Sequence, residues 1–159
     1  MCKRKIKLRF TTDENYASGL IHRMYANLYV IPYVEVPFST NSIMVEASVG
    51  SVNLPETMLS RYGVTEDEIF KAALENMESD ALMVDLNKIL LHFTKPENLL
   101  DCEPEQYNSV MICVTNKSKM LGATYILLDN VQKHLETIFP EGFYLCQAAF
   151  MNLLLYQSH

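Results

Sequence analysis

The fold is decided by residues 107–128, YNSVMICVTNKSKMLGATYILL. Two apolar runs, Val110–Val114 and Ala123–Leu128, flank a polar segment. Val, Ile, Thr and Tyr favour strands, and Asn116 and Gly122 tolerate the backbone angles of a turn. The stretch therefore predicts a β-hairpin with a long loop. Because both runs are nearly continuous, we expect this hairpin to lie centrally in a sheet that is buried on both faces.

Other strands are predicted towards both ends of the chain. Lys5–Phe10 alternates basic and apolar side chains, which is typical of a solvated edge strand. Leu28–Val36 is the next strand, and its Pro32 places it at a sheet edge or gives it a bulge. Ser42–Val49 is expected to pair with it as a hairpin, and Phe143–Cys146 is a later strand.

The last segment, Ala148–Tyr156, is too apolar for a free tail. It fits a strand or a helix, and we expect it to complete the core or a homodimer face. The interface residues predicted from this segment are Phe150, Met151, Leu154 and Tyr156.

Capping signals predict the helices. Thr12 and Asp13 cap a short helix that runs towards Arg23 or Met24, and Gly63 ends a helix over Pro55–Arg61. Thr65 and Glu68 form a capping box. The helix that follows this box buries five apolar side chains: Ile69, Phe70, Ala73, Leu74 and Met77.

Two more helices follow. Ser79 is expected to cap the first, and Asp129 or Asn130 the second. The apolar stripe of the first helix comprises Leu82, Met83, Leu86, Ile89, Leu90 and Phe93, and that of the second comprises Val131, Leu135 and Ile138.

These elements predict an α+β fold: a mostly antiparallel sheet of five to six strands with about four helices packed on it. With 159 residues, the chain fits a single domain, residues 1–159.

The net charge of −6 argues against a general attraction to nucleic acid or to an anionic membrane. A basic excess is nevertheless concentrated near the N-terminus. Two readings remain open for it, a solvated edge strand and a contact with a small anion or RNA. The residues concerned are Lys3, Arg4, Lys5, Lys7 and Arg9. Lys117 and Lys119, at the predicted hairpin tip, fit a solvated turn or a phosphate contact.

No cofactor or metal site is predicted. The four cysteines include no CxxC pair and no histidine at zinc spacing, so Cys113 and Cys146 are interpreted as reduced core residues. His92 and His134 lie near predicted helix C-termini, where a cation is favourable. Helix capping explains the acidic cluster of residues 66–68. The alternative interpretation of this cluster is a metal site. The sequence shows no signal peptide and no long apolar span, so we expect a cytoplasmic protein.

Four blocks of the chain resemble an uncharacterised family of gut-type Gram-positive bacteria, a domain of unknown function. They are Lys5–Phe10, Leu59–Leu74, Val114–Leu127 and the segment from Phe143 onward. The family carries Pro-Ser-Ser-x-His-Glu where this chain has residues 147–152, Gln-Ala-Ala-Phe-Met-Asn. The resemblance implies that any site the family has there is lost in this member, because methyl, thioether and amide groups replace hydroxyl, imidazole and carboxylate.

The polar residues are thus assigned structural roles: they end the secondary-structure elements and form their solvent-exposed faces. The preferred hypothesis is a non-enzymatic protein-interaction module, an adaptor or an inhibitor. One specific version is an inhibitor encoded by a mobile element against a host nuclease or defence complex. Its partner is another protein, with a homodimer as an alternative, and no membrane is involved. The rival hypotheses are an RNA- or DNA-binding or processing protein that uses the basic N-terminal strand, and a small metal-dependent hydrolase.

Overall fold

The structure is a computed structural model that describes residues 6–37, 49–86, 97–103, 111–118, 121–148 and 152–157. The chain divides into two compact units, Met1–Asn76 and Met77–His159. Each unit contains an antiparallel sheet of four strands. The predicted α+β class with antiparallel pairing is therefore confirmed, although the strands are shared between two sheets.

The first sheet is organised around one long strand. Strands β1 (Ile6–Thr11), β2 (Arg23–Tyr25) and β4 (Val49–Asn53) all pair antiparallel with β3 (Leu28–Pro37). Strand β1 runs along one side of β3, while β2 and β4 pair with its two ends on the other side. Among the described strands β1 pairs with β3 alone, in agreement with the predicted edge position, and its predicted alternation is confirmed, since Ile6, Leu8 and Phe10 are buried.

Pro32 lies in the middle of the central strand, so its predicted place at a sheet edge was wrong. It stands opposite Leu8 of β1, and its carbonyl accepts from the Leu54 N–H on the other side of β3. The N and C=O of one residue in a strand point to the same side. The ring nitrogen of Pro32 therefore faces the gap between β2 and β4. Because it points away from β1, its missing N–H removes no hydrogen bond between β3 and β1.

The first helix, α1, is a single turn, Glu14–Ala17. Its predicted cap is confirmed, because the Asp13 side chain accepts from the backbone N–H groups of Asn15 and Tyr16. The predicted extension towards Arg23 was wrong. Gly19 takes a left-handed φ of 72° and turns the chain, which frees the following residues to pair as β2.

Two longer helices follow. Helix α2 (Thr57–Tyr62) begins two residues later than predicted and ends at Gly63, whose φ of 59° fits the expected left-handed cap. Helix α3 (Glu66–Glu78) begins at the predicted capping box. Thr65 and Glu68 bond reciprocally, each backbone N–H donating to the other residue's side-chain oxygen. Four of the five predicted apolar residues of α3 are buried, and Leu74 is half-buried.

The second sheet has the strand order β5-β6-β8-β7, with every pair antiparallel. Its strands are β5 (Ala81–Asp85), β6 (Met111–Asn116), β7 (Phe143–Ala148) and β8 (Asn152–Gln157). Strand β6 is central, as predicted. The last segment of the chain, left open between strand and helix, contributes β8.

The predicted helix opened by Ser79 was wrong at its start, because Ala81–Asp85 forms β5. A short apolar run does not distinguish a helix from a buried strand. Here the run pairs with β6 from Ala81 opposite Asn116 to Asp85 opposite Ile112. This pairing with β6 is a tertiary interaction, and it overrides the weak helical preference of Leu and Met.

The second half of the predicted hairpin was also wrong. Gly122–Leu127 forms a 3-10 helix, and its first five residues are buried. Because β5 and β8 occupy both edges of β6, no edge remains for a strand at these residues. The segment instead packs against β6 and β8.

The remaining helix, α4 (Asp129–Ile138), buries Val131, Leu135 and Ile138 as predicted. Its cap position is Leu128, without a side-chain hydrogen bond, so the predicted caps at Asp129 or Asn130 were wrong. Predictions that fall on 42–48, 89, 90 and 93 lie outside the described residues.

Candidate functional site

The basic N-terminal strand is partly engaged in contacts within its own sheet. Lys7 Nζ lies 3.3 Å from Glu35 Oε1, and the Lys7 side chain is only 13% exposed. The pair links β1 to β3. Lys3, Arg4 and Lys5 lie outside the described residues, so Lys7 and Arg9 are the predicted N-terminal basic residues whose positions are known.

Lys117 serves the turn between α3 and β5. Its Nζ donates to the Ser79 carbonyl at 2.7 Å, and its backbone N–H donates to the Asp80 carbonyl at 3.0 Å. An ammonium that bonds to carbonyls at the end of a helix also complements the helix dipole. Lys119 lies outside the described residues.

The acidic cluster at the start of α3 is bound by an arginine. Arg23 Nε donates to Glu66 Oε1 at 2.6 Å, and Nη2 donates to Asp67 Oδ1. The guanidinium also lies 4.3 Å from the centre of the Phe70 ring. The hydrogen bond to Glu66 is the main cause that raises the pKa of Arg23. Glu68 bonds to Thr65 instead, so each of the three carboxylates has a partner.

His134 lies in the middle of α4, so its predicted place at a helix C-terminus was wrong. Its two ring nitrogens approach carbonyl oxygens, Nδ1 that of Asn130 at 2.8 Å and Nε2 that of Cys102 at 3.1 Å. The side chain therefore ties α4 to the segment after the 3-10 helix Leu99–Asp101. His92 lies outside the described residues.

The cysteine predictions hold only in part. Cys113 is half-buried in β6, and burial raises the pKa of its thiol. Cys146 is exposed on β7, so its predicted place in the core was wrong. The strand that carries it has one open face, which the apolar pattern around it did not reveal. Both cysteines are free thiols in the structure, and so is the exposed Cys102.

Arg9 occupies a site that the sequence pattern did not reveal. Its guanidinium stacks on the Tyr33 ring, with 4.1 Å between Cζ and the ring centre. Arg9 Nη1 donates to the Tyr16 hydroxyl at 3.3 Å, and Asn53 Nδ2 donates to the same oxygen at 2.8 Å. One phenolic oxygen thus accepts hydrogen bonds from two converging side chains. We call Arg9, Tyr16, Tyr33 and Asn53 the Arg9 cluster.

Three buried polar atoms of the Arg9 cluster make no hydrogen bond. They are Arg9 Nε, Arg9 Nη2 and Asn53 Oδ1. Leaving a buried donor or acceptor unsatisfied costs about 1–3 kcal/mol, and more when the group is charged. The cluster therefore retains hydrogen-bonding capacity, two donors and one acceptor, that the described residues do not use.

The faces of the second sheet differ in exposure. On one face, Met83, Ile112 and Val114 are fully buried. On the other face, exposure rises across the sheet: Val84 and Thr115 are buried, Met111 and Cys113 are half-buried, Tyr144 is 56% exposed and Cys146 is exposed. The four residues Met111, Cys113, Tyr144 and Cys146 carry no formal charge. We call them the open face.

The predicted interface residues are associated with this sheet through β8. Backbone register places Tyr156 opposite both Met111 and Tyr144, and Leu154 opposite both Cys113 and Cys146. The positions of Leu154 and Tyr156 are thus interleaved with the open face. Phe150 and Met151 lie outside the described residues.

Sequence reasoning identified Arg9 and the segment around β8, and it missed what surrounds them. Tyr33 and Asn53 are register partners on β3 and β4, a pairing that only the folded sheet shows. Tyr16 is brought there by the single-turn helix α1. Its contact with Arg9 spans only seven residues.

Within the described ranges, no three residues among His, Cys, Asp and Glu are placed to share a metal ion. Among the helices of those same ranges, none is long and apolar enough to cross a bilayer.

Comparison with known proteins places the chain in one family. Neither the curated proteins nor the solved structures contain a match to this chain. A family model does match residues 8–154, nearly the whole chain, and this agrees with the resemblance seen in its four blocks. The protein belongs to the Family of unknown function (DUF5688).

Proposed function

We propose that the protein is a non-enzymatic interaction module of the bacterial cytoplasm, an adaptor or an inhibitor. It docks to another protein through the open face of its second sheet. The observation that carries this proposal is the exposure of Tyr144 and Cys146 on an uncharged sheet face whose opposite side is buried. Aromatic and Met side chains are enriched at protein interfaces, and charged side chains are depleted at their centres.

Charge indicates the kind of partner. Residues 77–159 contain five Lys/Arg and ten Asp/Glu, and thus carry −5 of the net charge of −6. An uncharged face on an acidic unit suits a partner with an apolar patch in a basic surface, because such charges steer association and suppress wrong partners. A nucleic-acid-binding protein has such a surface, so inhibition of a nuclease is one form of this proposal.

The rival functions have less support from the geometry. A nucleic-acid contact through Lys7 or Lys117 requires breaking the bonds of these residues to Glu35 and Ser79. A metal at the start of α3 requires displacing Arg23 from Glu66 and Asp67. Either rival function would therefore break contacts that remain intact when the protein docks through its open face.

The test is site-specific photocrosslinking with a matched control. A benzophenone amino acid replaces Tyr144 in one variant and Tyr62 in another; both tyrosines are about half exposed. We expect a basic protein to be captured in host cells from position 144 and not from position 62.

Binding of the purified partner then decides the proposal. Tyr144→Glu should weaken binding at least about tenfold, an apparent loss of about 1.4 kcal/mol, while Tyr62→Glu leaves it unchanged. Equal effects of the two variants would refute the open face as the docking surface. Capture of a second copy of this chain, with a dimer that Tyr144→Glu dissociates, would replace the basic partner with a homodimer.

A further inference from the structure

We propose that the Arg9 cluster binds a carboxylate, and that the Tyr16 hydroxyl stands where one carboxylate oxygen binds. Two donors already converge on that point, Arg9 Nη1 at 3.3 Å and Asn53 Nδ2 at 2.8 Å. The site lies wholly within the first unit and is independent of the proposed docking face.

A carboxylate uses the cluster's donors better than a phenol does. Hydrogen bonds between ionised groups are shorter and stronger than those to a neutral oxygen. Arg9 Nη2 has no partner, and the planar guanidinium offers Nη1 and Nη2 as a fork for two oxygens. One oxygen of the ligand replaces the Tyr16 hydroxyl, and the second accepts from Nη2.

The charges favour a monoanion over a phosphate. Arg9 supplies one positive charge, whereas Lys7, on the same strand, is paired with Glu35. The unsatisfied Asn53 Oδ1 is an acceptor, so it repels additional anionic oxygens and requires a donor. The matching ligand carries an N–H or O–H beside its carboxylate, as an acylated amino acid or a peptide C-terminus does.

Tyr16 is the movable member of the cluster. Its side chain is 44% exposed, and it belongs to a helix of one turn. Tyr33, beneath the guanidinium, is only 3% exposed. Rotation of the Tyr16 side chain therefore vacates the oxygen position while Tyr33 continues to hold Arg9.

The test follows the side-chain Nε–H resonance of Arg9 by NMR during titration with acetate, N-acetylglycine, N-acetylglycinamide and inorganic phosphate at constant ionic strength. We expect N-acetylglycine to shift this resonance, to bind more tightly than acetate, and to bind roughly tenfold more tightly to Tyr16→Phe, because the competing hydroxyl is gone. Tyr62→Phe is the matched control and should bind like the wild type. Titration with a short peptide that has a free C-terminus, and with its C-terminal amide, then tests whether the site also binds the end of a peptide chain.

Two further variants keep the outcome decisive. Adding Arg9→Lys to Tyr16→Phe should abolish the gain, because Lys lacks the planar fork. Asn53→Asp places a carboxylate beside Arg9 and should raise the melting temperature while blocking N-acetylglycine. The proposal is overturned if Tyr16→Phe binds no more tightly than Tyr62→Phe, if phosphate or N-acetylglycinamide binds as well as N-acetylglycine, or if Arg9→Lys changes nothing. If acetate bound as tightly as N-acetylglycine, the claim that the ligand carries an N–H or O–H beside its carboxylate would be overturned.

Discussion

The Tyr125 hydroxyl donates to Asp80 Oδ1 at 2.6 Å and joins residues 45 positions apart. Tyr125 is almost fully buried within the 3-10 helix Gly122–Leu127. Asp80 lies in the turn between α3 and β5, the same turn that Lys117 contacts. This bond fixes the segment that follows β6 to the start of β5, and it accompanies the 3-10 helix found in place of the predicted strand.

Tyr125→Phe should therefore destabilise the protein by about 1.5–3 kcal/mol, the range for a hydrogen bond to a charged group. Chemical denaturation followed by circular dichroism measures the loss. Tyr62→Phe is the control, because Tyr62 is exposed and removal of its hydroxyl leaves the core intact. Equal stability of the two variants would show that the bond to Asp80 contributes nothing.

Arg23→Lys should cost about 0.5–1 kcal/mol, because Lys does not reproduce the forked contact with two carboxylates or the stacking on Phe70. High salt should reduce the difference. The control is Arg61→Lys, since Arg61 lies 5.8 Å from the Tyr62 ring centre, a weaker contact. A larger effect at Arg61 would contradict the assignment.

The raised pKa of Arg23 also fixes the sign of its pH dependence. A group whose pKa is higher in the folded state stabilises the fold at every pH below its unfolded pKa, and this stability is lost only as pH rises through the folded pKa. For an arginine that range is strongly alkaline. The destabilisation by Arg23→Lys should therefore be constant from neutral to moderately alkaline pH, as denaturation at several pH values would show.

Cys113 should be the slowest of the described thiols to react. Burial raises its pKa and so lowers its thiolate fraction, while Cys102 and Cys146 are exposed. Mass spectrometry after timed alkylation of the native protein measures the order, and we expect Cys113 to react at least roughly tenfold more slowly. In denaturant the three rates should converge. Early labelling of Cys113 in the native protein would contradict its burial.

Deleting residues 148–159 should unfold the second unit. The deletion removes β8, which pairs with both β6 and β7, and no other described strand joins those two. Loss of dispersed amide NMR signals from the second unit, or insolubility, is the expected result. Removal of residues 158–159 alone, after β8 has ended, should have little effect. A folded, soluble 1–147 chain would contradict this role of β8.

Local signals in the sequence were reliable where a few neighbouring residues supply the whole interaction. Thr65 and Glu68 close the capping box of α3 within four residues, Asp13 caps α1, and Gly63 ends α2 in the left-handed conformation. Alternation in β1 predicted its buried residues, because the two faces of a strand differ at every step.

Predictions at the candidate sites were less complete. The basic pattern pointed to Arg9 but gave no sign of Tyr16 or Tyr33. The apolar tail pointed to Leu154 and Tyr156, while Cys146, in the apolar strand before it, was wrongly predicted to lie in the core. In both cases the missing information was which neighbouring strand or helix covers a given face.

By itself, the sequence determined the α+β class, the antiparallel pairing and the ends of the helices it capped, because hydrogen bonds and steric limits between near neighbours are written in short stretches. Only the tertiary structure decided that Ala81–Asp85 is a strand and that Gly122–Leu127 is not. An apolar run satisfies its backbone in a helix or in a ladder, and the choice depends on which strand edges remain available. In this chain, β5 and β8 occupy both edges of β6, so the run that follows β6 formed a buried 3-10 helix.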